Sequence, residues 1–392
     1  MTDLRRKGAI TGIGELPPLR KTDRSPEELI FEAARLAMDD AGLPPSEIDG
    51  LLVTPPLASA VTMAVPSAYA EMLGLRLSYA NVVDMAGASG ASQVLKAVAA
   101  IAAGHARHVL CLSGDAQNPQ AFNQITQRGR VALSFFEHDF EAIYGPMGAP
   151  SGYALAATRH AYEYGVTAEM RARVAVDQRT NACANPNAMF YGKPITVDDV
   201  LATRIVSSPF HLLEIVMPVS GAAAFIVSAP EAAAATPRPP VWYLGGAERV
   251  GHSSPAQVDN ILVTPIAYTG PKAMERAGVT PNDIDVVEVY DCFTTTVLLT
   301  LEDAGFCTKG KSGEFVLEHD LTYKGDLPVN THGGQLSFGQ AGLAGGTSHV
   351  TEAVRQLRHS AGERQVPDAE LAFVNGNGGI LAEQCSLVLS NS

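Results

Sequence analysis

Basic residues are scarce in this sequence. Its 392 residues hold 28 Lys+Arg against 41 Asp+Glu, a net charge of −13. No basic stripe interrupts the acidic background, which argues against nucleic acid as a partner. Cysteine is also sparse: Cys111, Cys183, Cys292, Cys307 and Cys385 are odd in number and show no close C-x-x-C spacing. That excludes a disulfide framework and a zinc ribbon, assigns no metal, and fits a reduced, cytoplasmic setting. No apolar run is long enough to span a bilayer, since the Ala-rich stretches near Ala97–Ala103 and Ala222–Ala235 are interrupted. Nothing apolar follows Met1-Thr2-Asp3-Leu4-Arg5-Arg6-Lys7, so no signal peptide is expected.

What is present is ordinary globular composition, 46% hydrophobic and 18% charged, with enough chain for more than one domain-sized unit. A strand at Gly8–Gly14 leads to a helix opened by Ser25-Pro26-Glu27-Glu28 and closed at Gly42, then to a strand at Ile48–Val53. A second copy lies downstream: residues 37–49 align without gaps to residues 273–285, with seven identities that include Pro45/Pro281, Ile48/Ile284 and Asp49/Asp285. This repeat predicts two homologous halves. The first runs over residues 1–236 and the second over 237–392, with a linker at Pro230–Pro240. From about 115 to 205 aromatic and polar residues rise, including Phe122, Phe135, Tyr153 and Tyr191, which reads as an inserted layer of helices and loops.

Three glycine-rich stretches follow strands: Asp84-Met85-Ala86-Gly87-Ala88-Ser89-Gly90, Asn330-Thr331-His332-Gly333-Gly334 through Gly342, and the turn Asn375-Gly376-Asn377-Gly378-Gly379. Their glycines permit positive φ and close approach to a ligand, although Asn-Gly is also a plain hairpin signal. A fourth strand end, Val286-Val287-Glu288-Val289 followed by Tyr290-Asp291-Cys292-Phe293, opens into a helix. In α/β proteins chemistry collects at the carboxyl ends of strands, so Tyr290 is a site candidate; the plain alternative is a buried tyrosine with a satisfied hydroxyl.

Together these pieces resemble the thiolase superfamily, in its sterol-carrier-protein thiolase and lipid-transfer-protein branch. Tyr290-Asp291-Cys292-Phe293 is similar to that branch's His-Asp-Cys-Phe, and Gly305-Phe306-Cys307 to its Gly-Leu-Cys. The other two matches are Asn330 to Gly346, like its Gly-Gly…Gly-His-Pro loop, and Asn375–Gly379, like its Asn-x-Gly-x-Gly-Gly. The resemblance implies an α/β chain with a duplicated five-layer αβαβα fold and an inserted loop layer. It also implies which parts are lost. Gly87 stands at the family's nucleophilic cysteine, Gln340 at the histidine of the Gly-His-Pro loop, Tyr290 at the histidine of His-Asp-Cys-Phe, and Gly376 at the second cysteine.

What remains is half of a thiolase, able to stabilise a CoA-thioester enolate without acyl transfer. A subgroup of the branch, aldolases of steroid side-chain degradation, runs that half as a retro-aldol and also uses tyrosine at the acid/base position. The resemblance therefore implies cleavage of a β-hydroxyacyl-CoA to a ketone and a shorter acyl-CoA, with coenzyme A entering only as part of the substrate. Tyr290, Gln340 and His332 are the implied catalytic set; Gly87, Phe338, Gly378 and Gly379 are the implied substrate contacts. A free phenol has a pKa near ~10, so Tyr290 as a base needs a depressed value or a proton relay, and Asp291 beside it works the other way. A further tyrosine used by the subgroup has no counterpart near Gln340; Tyr191 and Tyr323 are the substitutes in reserve. His332 has a simpler reading as a loop histidine bonded to backbone, and His349 as a helix-face residue. Arg128, Arg130 and Lys193 are either partners of CoA phosphates or solvated surface. The implied assembly is a homodimer, with a separate OB-fold/zinc-ribbon subunit of hydratase type. The competing expectations are an acyltransferase with displaced chemistry and a non-catalytic CoA-ester-binding subunit.

Overall fold

The repeated stretch builds the same unit twice. In the first half, α1 (Pro26–Ala41) buries Ala37, Met38 and Ala41; in the second, α6 (Ile266–Ala277) buries Ala273, Met274 and Ala277. Both helices stop at a left-handed glycine, Gly42 (φ 66°) and Gly278 (φ 75°), the residue type that adopts this conformation without strain. A short 3-10 turn and a buried isoleucine follow in each, Ile48 and Ile284, before the next strand. Each helix lies unusually close to its sheet. A Cβ on Gly12 or Gly245 would collide with the carbonyl oxygen of Ala37 or Ala273.

The computed structural model describes residues 3–57, 59, 61, 63–117, 141–145 and 148–392. The main strands are β1 (Ala9–Glu15), β2 (Gly50–Val53), β3 (Tyr79–Val82), β4 (His108–Asp115), β5 (Gly221–Ser228), β6 (Val241–Val250), β7 (Val286–Val289), β8 (Leu371–Gly378) and β9 (Glu383–Ser390). They form one nine-stranded sheet in the order β3-β2-β4-β5-β1-β6-β9-β8-β7. The order is a duplication. β3, β2 and β4 run parallel and β5 and β1 antiparallel; in the other half Val329 bridges β7, β7 and β8 run parallel, and β9 and β6 antiparallel. Among the named strands of the described residues, the two half-sheets pair with each other only where Ala9 meets Trp242 and Ile10 meets Val241.

Helices complete five layers. α1 and α2 (Val65–Leu73) cover the outer face of the first half-sheet. α6 and α7 (Thr294–Ala304) cover the outer face of the second. Between the half-sheets lie α3 (Ser89–Ala102) and α9 (Gly345–Leu357), buried against strands of both halves. The inserted layer supplies α4 (Ala149–Tyr164) and α5 (Ala168–Cys183), with a short helix at Val197–Leu201 and a two-stranded ribbon, Ile205–Ser207 with Phe210–His211. A buried ion pair, Arg171 Nε to Glu214 Oε1 at 2.8 Å, with Thr294 Oγ1 donating to the same oxygen, ties this layer to the start of α7.

After the Gly305-Phe306-Cys307 stretch comes α8 (Ser312–Glu318). One local expectation is corrected. Asn375–Gly378 is not a turn but the end of β8, paired with Glu383–Ser386. The asparagines hold it there through polar cross-strand bonds, Ser386 Oγ to Asn375 at 2.7 Å and Asn375 Nδ2 to Gln384 at 3.2 Å. The turn itself starts at Gly379. Among the described residues no helix is long and apolar enough to cross a membrane.

Candidate active site

Tyr290 leaves the end of β7 with its backbone N–H on Asn375 O at 3.0 Å. Its ring lies over Gly87, at the entrance to α3. A Cβ at Gly87 would fall inside the van der Waals shells of Tyr290 Cζ and Cε2 and of the Asn377 carbonyl oxygen. The elbow itself is strained, for Ala86 takes a left-handed φ of 45°. Gln340 Nε2 donates to the Tyr290 hydroxyl at 2.7 Å. Gln340 is held in turn by the segment 215–219, its N–H on Met217 O at 2.8 Å and its carbonyl accepting from Val219 N at 2.9 Å. Tyr290 is buried, and burial first, then Cys292 and Asp291, push its phenol well above the usual range, against a lowering by Gln340. A depressed phenol is therefore not what this site provides. At neutral pH Tyr290 keeps its proton, and the bond from Gln340 leaves that proton free to be donated.

Asp291 turns away from the phenol. Its Oδ1 accepts from Gln335 N at 2.8 Å and its Oδ2 from Leu336 N at 3.1 Å, the first amides of the short helix Gly334–Ser337. Gly333 (φ 108°) and Gly334 (φ 59°) make this approach possible, since a Cβ at Gly334 would strike Asp291 Oδ2. Behind Asp291 lies His349 of α9. It is not the helix-face residue expected but fully buried, with Nδ1 3.1 Å from Glu288 and Nε2 3.3 Å from Asp291. Burial lowers its pKa, but the two carboxylates prevail and raise it to about 9. Burial pushes Glu288 up, yet His332 and His349 more than offset this and its net direction is down. Glu288 also accepts from Thr331 N and Oγ1 at 2.9 and 3.0 Å.

His332 sits 3.2 Å from Glu288 Oε2, but among the described residues neither ring nitrogen completes a hydrogen bond. It faces His349 and Phe338 rather than Tyr290, and its backbone carbonyl accepts from Asn185 Nδ2. Glu288, His332 and His349 each bring one ligand atom within 4.8 Å of the others. Both nitrogens of His349 are already faced by carboxylates, so the group reads as an ion-pair network rather than a metal cradle.

On the other side of Tyr290 stands Tyr153 of α4, a residue that sequence reasoning left among the general aromatics. Its hydroxyl donates to Gly379 O at 2.7 Å and accepts from Asn377 Nδ2 at 2.8 Å, while its ring stacks on Phe293 at 4.5 Å. Burial, Cys292 and Tyr290 all push its phenol up. Tyr153, Tyr290, Cys292, Phe293 and Leu381 share one apolar cluster with Ile261 and Ile380 at its edge. Beyond that edge opens a cleft of about 770 Å³, lined by Gly152, Leu155 and Arg159 of α4 and by the loop from Pro255 to Ile261.

The proposed set is thus only partly brought together. Tyr290, Gln340 and Gly87 meet, and Gly379 reaches them through Tyr153. Gly378 is taken into the β8–β9 ladder opposite Glu383. Phe338 is buried against Ala182 and Ala188, away from the phenol. Tyr191 is half exposed, and Tyr323 is buried elsewhere with its N–H on Asn181. Lys193 is exposed and does not line the cleft; Arg128 and Arg130 lie outside the described residues. Four of the five cysteines are ill placed as nucleophiles. Cys111 and Cys385 are buried in strands, and burial holds Cys292 and Cys307 at about 12.

Family models place this arrangement. "Thiolase, N-terminal domain" matches residues 8–208 and "Thiolase C-terminal domain-like" residues 247–391. The chain belongs to the thiolase family. Among its relatives, the "Steroid side-chain-cleaving aldolase" of Thermomonospora curvata is 33% identical over 91% of this chain and 92% of its own. The "Acetyl-CoA acetyltransferase" of Methanothermobacter thermautotrophicus is 32% identical over 95% and 97%. A solved structure, "Ltp2-ChsH2(DUF35) aldolase", matches with a TM-score of 0.87 and 30% identity over 99% of both chains. As a thiolase, the chain departs most at the elbow, where Gly87 has no side chain and Tyr290 takes the space. At the position of the family's second cysteine, a Cβ on Gly376 would come within 2.7 Å of Ala88 Cα, so a side chain there is excluded as well.

Proposed function

We propose that this thiolase-family protein is a carbon–carbon lyase that cleaves a β-hydroxyacyl-CoA, of steroid or similar side-chain type, by a retro-aldol reaction. The observation that carries the reading is the Gly87–Tyr290 pair: the acylation site is absent and a protonated phenol, held by Gln340, fills its place. In the reaction the β-hydroxyl O–H and the Cα–Cβ bond break. A ketone and a CoA acyl group of enolate character form as Cα is protonated. Because Tyr290 starts protonated, its hydroxyl passes its own proton to Cα as it takes up the β-hydroxyl proton, so that cleavage and reprotonation overlap and no free phenolate has to persist. Gln340 and the Gly379 turn border the place of the thioester oxygen, where fixed donors favour developing enolate charge.

The cleft along α4 and residues 255–261 suits an apolar acyl tail or the pantetheine arm. No cofactor beyond the coenzyme A of the substrate enters the scheme. We further propose a homodimer through β3, an edge strand whose Ala80, Asn81 and Val82 are exposed, unlike the buried strands beside it. A separate OB-fold/zinc-ribbon subunit and a cytoplasmic location complete the proposal; the likeness to an aldolase assembly and five free cysteines support them.

The test is incubation of the protein, alone and with such a subunit, with a branched steroid-type β-hydroxyacyl-CoA. Ketone and shortened acyl-CoA are scored by mass spectrometry. Cleavage that falls about 10²–10⁴-fold in Tyr290→Phe establishes the lyase. An acyl group on a cysteine would instead favour acetyltransferase chemistry like that of the 32%-identical relative. Tight CoA-ester binding without turnover would favour a binding subunit.

A further inference from the structure

We propose that His349 is the positioning residue of the Tyr290 site: as an imidazolium it bridges the buried carboxylates of Glu288 and Asp291, and through Asp291 it fixes the turn that delivers Gln340 to the phenol. The inference deepens the lyase reading and rests on it for its kinetic part.

The geometry specifies the charge. Nδ1 faces Glu288 Oε2 at 3.1 Å and Nε2 faces Asp291 Oδ1 at 3.3 Å. A neutral imidazole has one N–H and would turn a lone pair toward one of the carboxylates. Only the doubly protonated ring satisfies both. Water cannot stand in for it, because His349, Glu288 and Asp291 are completely buried. The other groups facing the ring fit a cation. The Tyr290 ring lies 6.3 Å away and the His332 ring 5.0 Å; the amide of Gln335, 3.3 Å from Nε2, fits an imidazolium with its two ends exchanged, which turns the otherwise unpartnered Oε1 toward the ring. One turn further along α9, Glu352 is already matched by Arg364, whose Nε and Nη2 reach its two oxygens at 2.8 Å each, and does not compete for the imidazolium.

The connection to the phenol is short. Asp291 adjoins Tyr290 in sequence and accepts the backbone amides of Gln335 and Leu336. The Gly334–Ser337 helix that begins there leads through Gly339 to Gln340, whose amide meets the Tyr290 hydroxyl at 2.7 Å. Without the charge at position 349, two buried carboxylates face each other uncompensated. Asp291 then either takes a proton and loosens the turn or keeps its charge beside the phenol. Both outcomes misplace or mistune Tyr290.

Two readouts test this. The first needs no substrate, so it survives failure of the lyase reading: ¹⁵N NMR of ring-labelled histidine in the full chain, with His349 assigned through His349→Leu. Both ring nitrogens are expected to carry protons at pH 7.5; a neutral tautomer there would overturn the proposal. The second is cleavage. His349→Leu is expected to lower kcat on the order of 10²-fold, the scale of a misplaced acid/base group, with a displaced pH–rate profile. KM should stay within about threefold, since binding is not what is lost. Adding Asp291→Asn to His349→Leu removes the uncompensated charge and is expected to recover about tenfold of kcat, a coupling that residues in one network show. Wild-type kcat in His349→Leu, or losses that simply add in the double variant, would reduce His349 to packing. Should His349→Leu not fold, the His349 resonance is assigned by elimination through single substitutions of the other histidines, and the protonation state read in the wild-type protein still decides.

Discussion

The ring of Tyr290 occupies the volume into which a side chain at Gly87 would project, so the two positions are coupled by exclusion. Gly87→Cys would restore the family's nucleophile type without restoring its chemistry. The new side chain must displace the phenol or the Asn377 peptide, and overpacking of this kind costs about 1–3 kcal/mol. Thermal melting should show that loss, and cleavage should fall with the displaced hydroxyl. Gly87→Cys combined with Tyr290→Gly should lose less stability than the sum of the two single variants, because the ring no longer competes, although the Asn377 carbonyl still crowds the new side chain. A single Gly87→Cys variant that melts and cleaves like the wild type would show that the ring is free to move aside.

Part of this site was legible in the sequence because it is local. Tyr290 follows four strand residues, Gly87 precedes a small-residue helix, and the copy of residues 37–49 at 273–285 announces the duplication. Gln340 was legible through its place in a glycine-rich loop. The rest depends on contacts that no local pattern encodes. Tyr153 reaches Gly379 across 226 residues, and His349 reaches Glu288 across 61. A small-residue helix gives no sign that one histidine points inward between two carboxylates. Asn375 and Asn377 read as a turn because Asn-Gly pairs usually are one; here their side chains bond to Ser386 and Gln384 and extend the strand instead.

Stability should fall at both ends of the pH scale, for opposite reasons. Arg364 holds Glu352 down at about 2 despite its burial, and His160, Ser312 and Lys309 do the same for Glu302. Depressed acids contribute stability that is present above their unfolded value near 4.5 and lost as pH falls toward 2. His349 is raised to about 9, so its contribution is present below its ordinary 6.5 and lost as pH rises through 9. Melting temperatures between pH 2 and 10 should therefore drop on the acid side and again above about pH 7. Glu352→Gln should flatten the acid limb. An acid limb unchanged in that variant would place its origin in other carboxylates.

Asp177 of α5 works in the reverse sense. Burial raises its carboxyl to about 7, a push that Arg173, bonded through Nε at 2.7 Å, offsets only in part. A raised acid stabilises the fold at low pH and takes that stability away as pH climbs from its ordinary 3.8 through 7. Asp177→Asn has nothing to ionise and keeps an oxygen for Arg173. The variant should gain on the wild type as pH rises from 4 to 8, by on the order of 4 kcal/mol at most. A stability difference that is constant over this range would mean that Asp177 ionises as an ordinary carboxylate.

Tyr153 joins the cleft to the reacting end of the site. Its helix, α4, lines the cleft, and its hydroxyl bonds that helix to the Gly379 turn and to Asn377. Tyr153→Phe keeps the stack on Phe293 and removes both bonds. It leaves the buried Asn377 amide with only the Cys292 sulfur at 4.0 Å, a cost of about 1–3 kcal/mol, while the carbonyl of the exposed Gly379 turns to water. The consequence for function follows from where those groups sit. Asn377's carbonyl borders the Gly87 elbow, and Gly379 follows it in the turn that the proposed reaction sets beside the thioester. Loosening them should lower kcat for cleavage more than it raises KM for the CoA ester. Tyr290→Phe should differ, removing the proton donor while leaving the Gly379 turn in place. Steady-state kinetics and melting of the two single variants and the double separate these roles. Non-additive losses are expected, because the two phenols share one cluster. If Tyr153→Phe lowers only the melting temperature, the hydroxyl is a structural tie with no part in shaping the site.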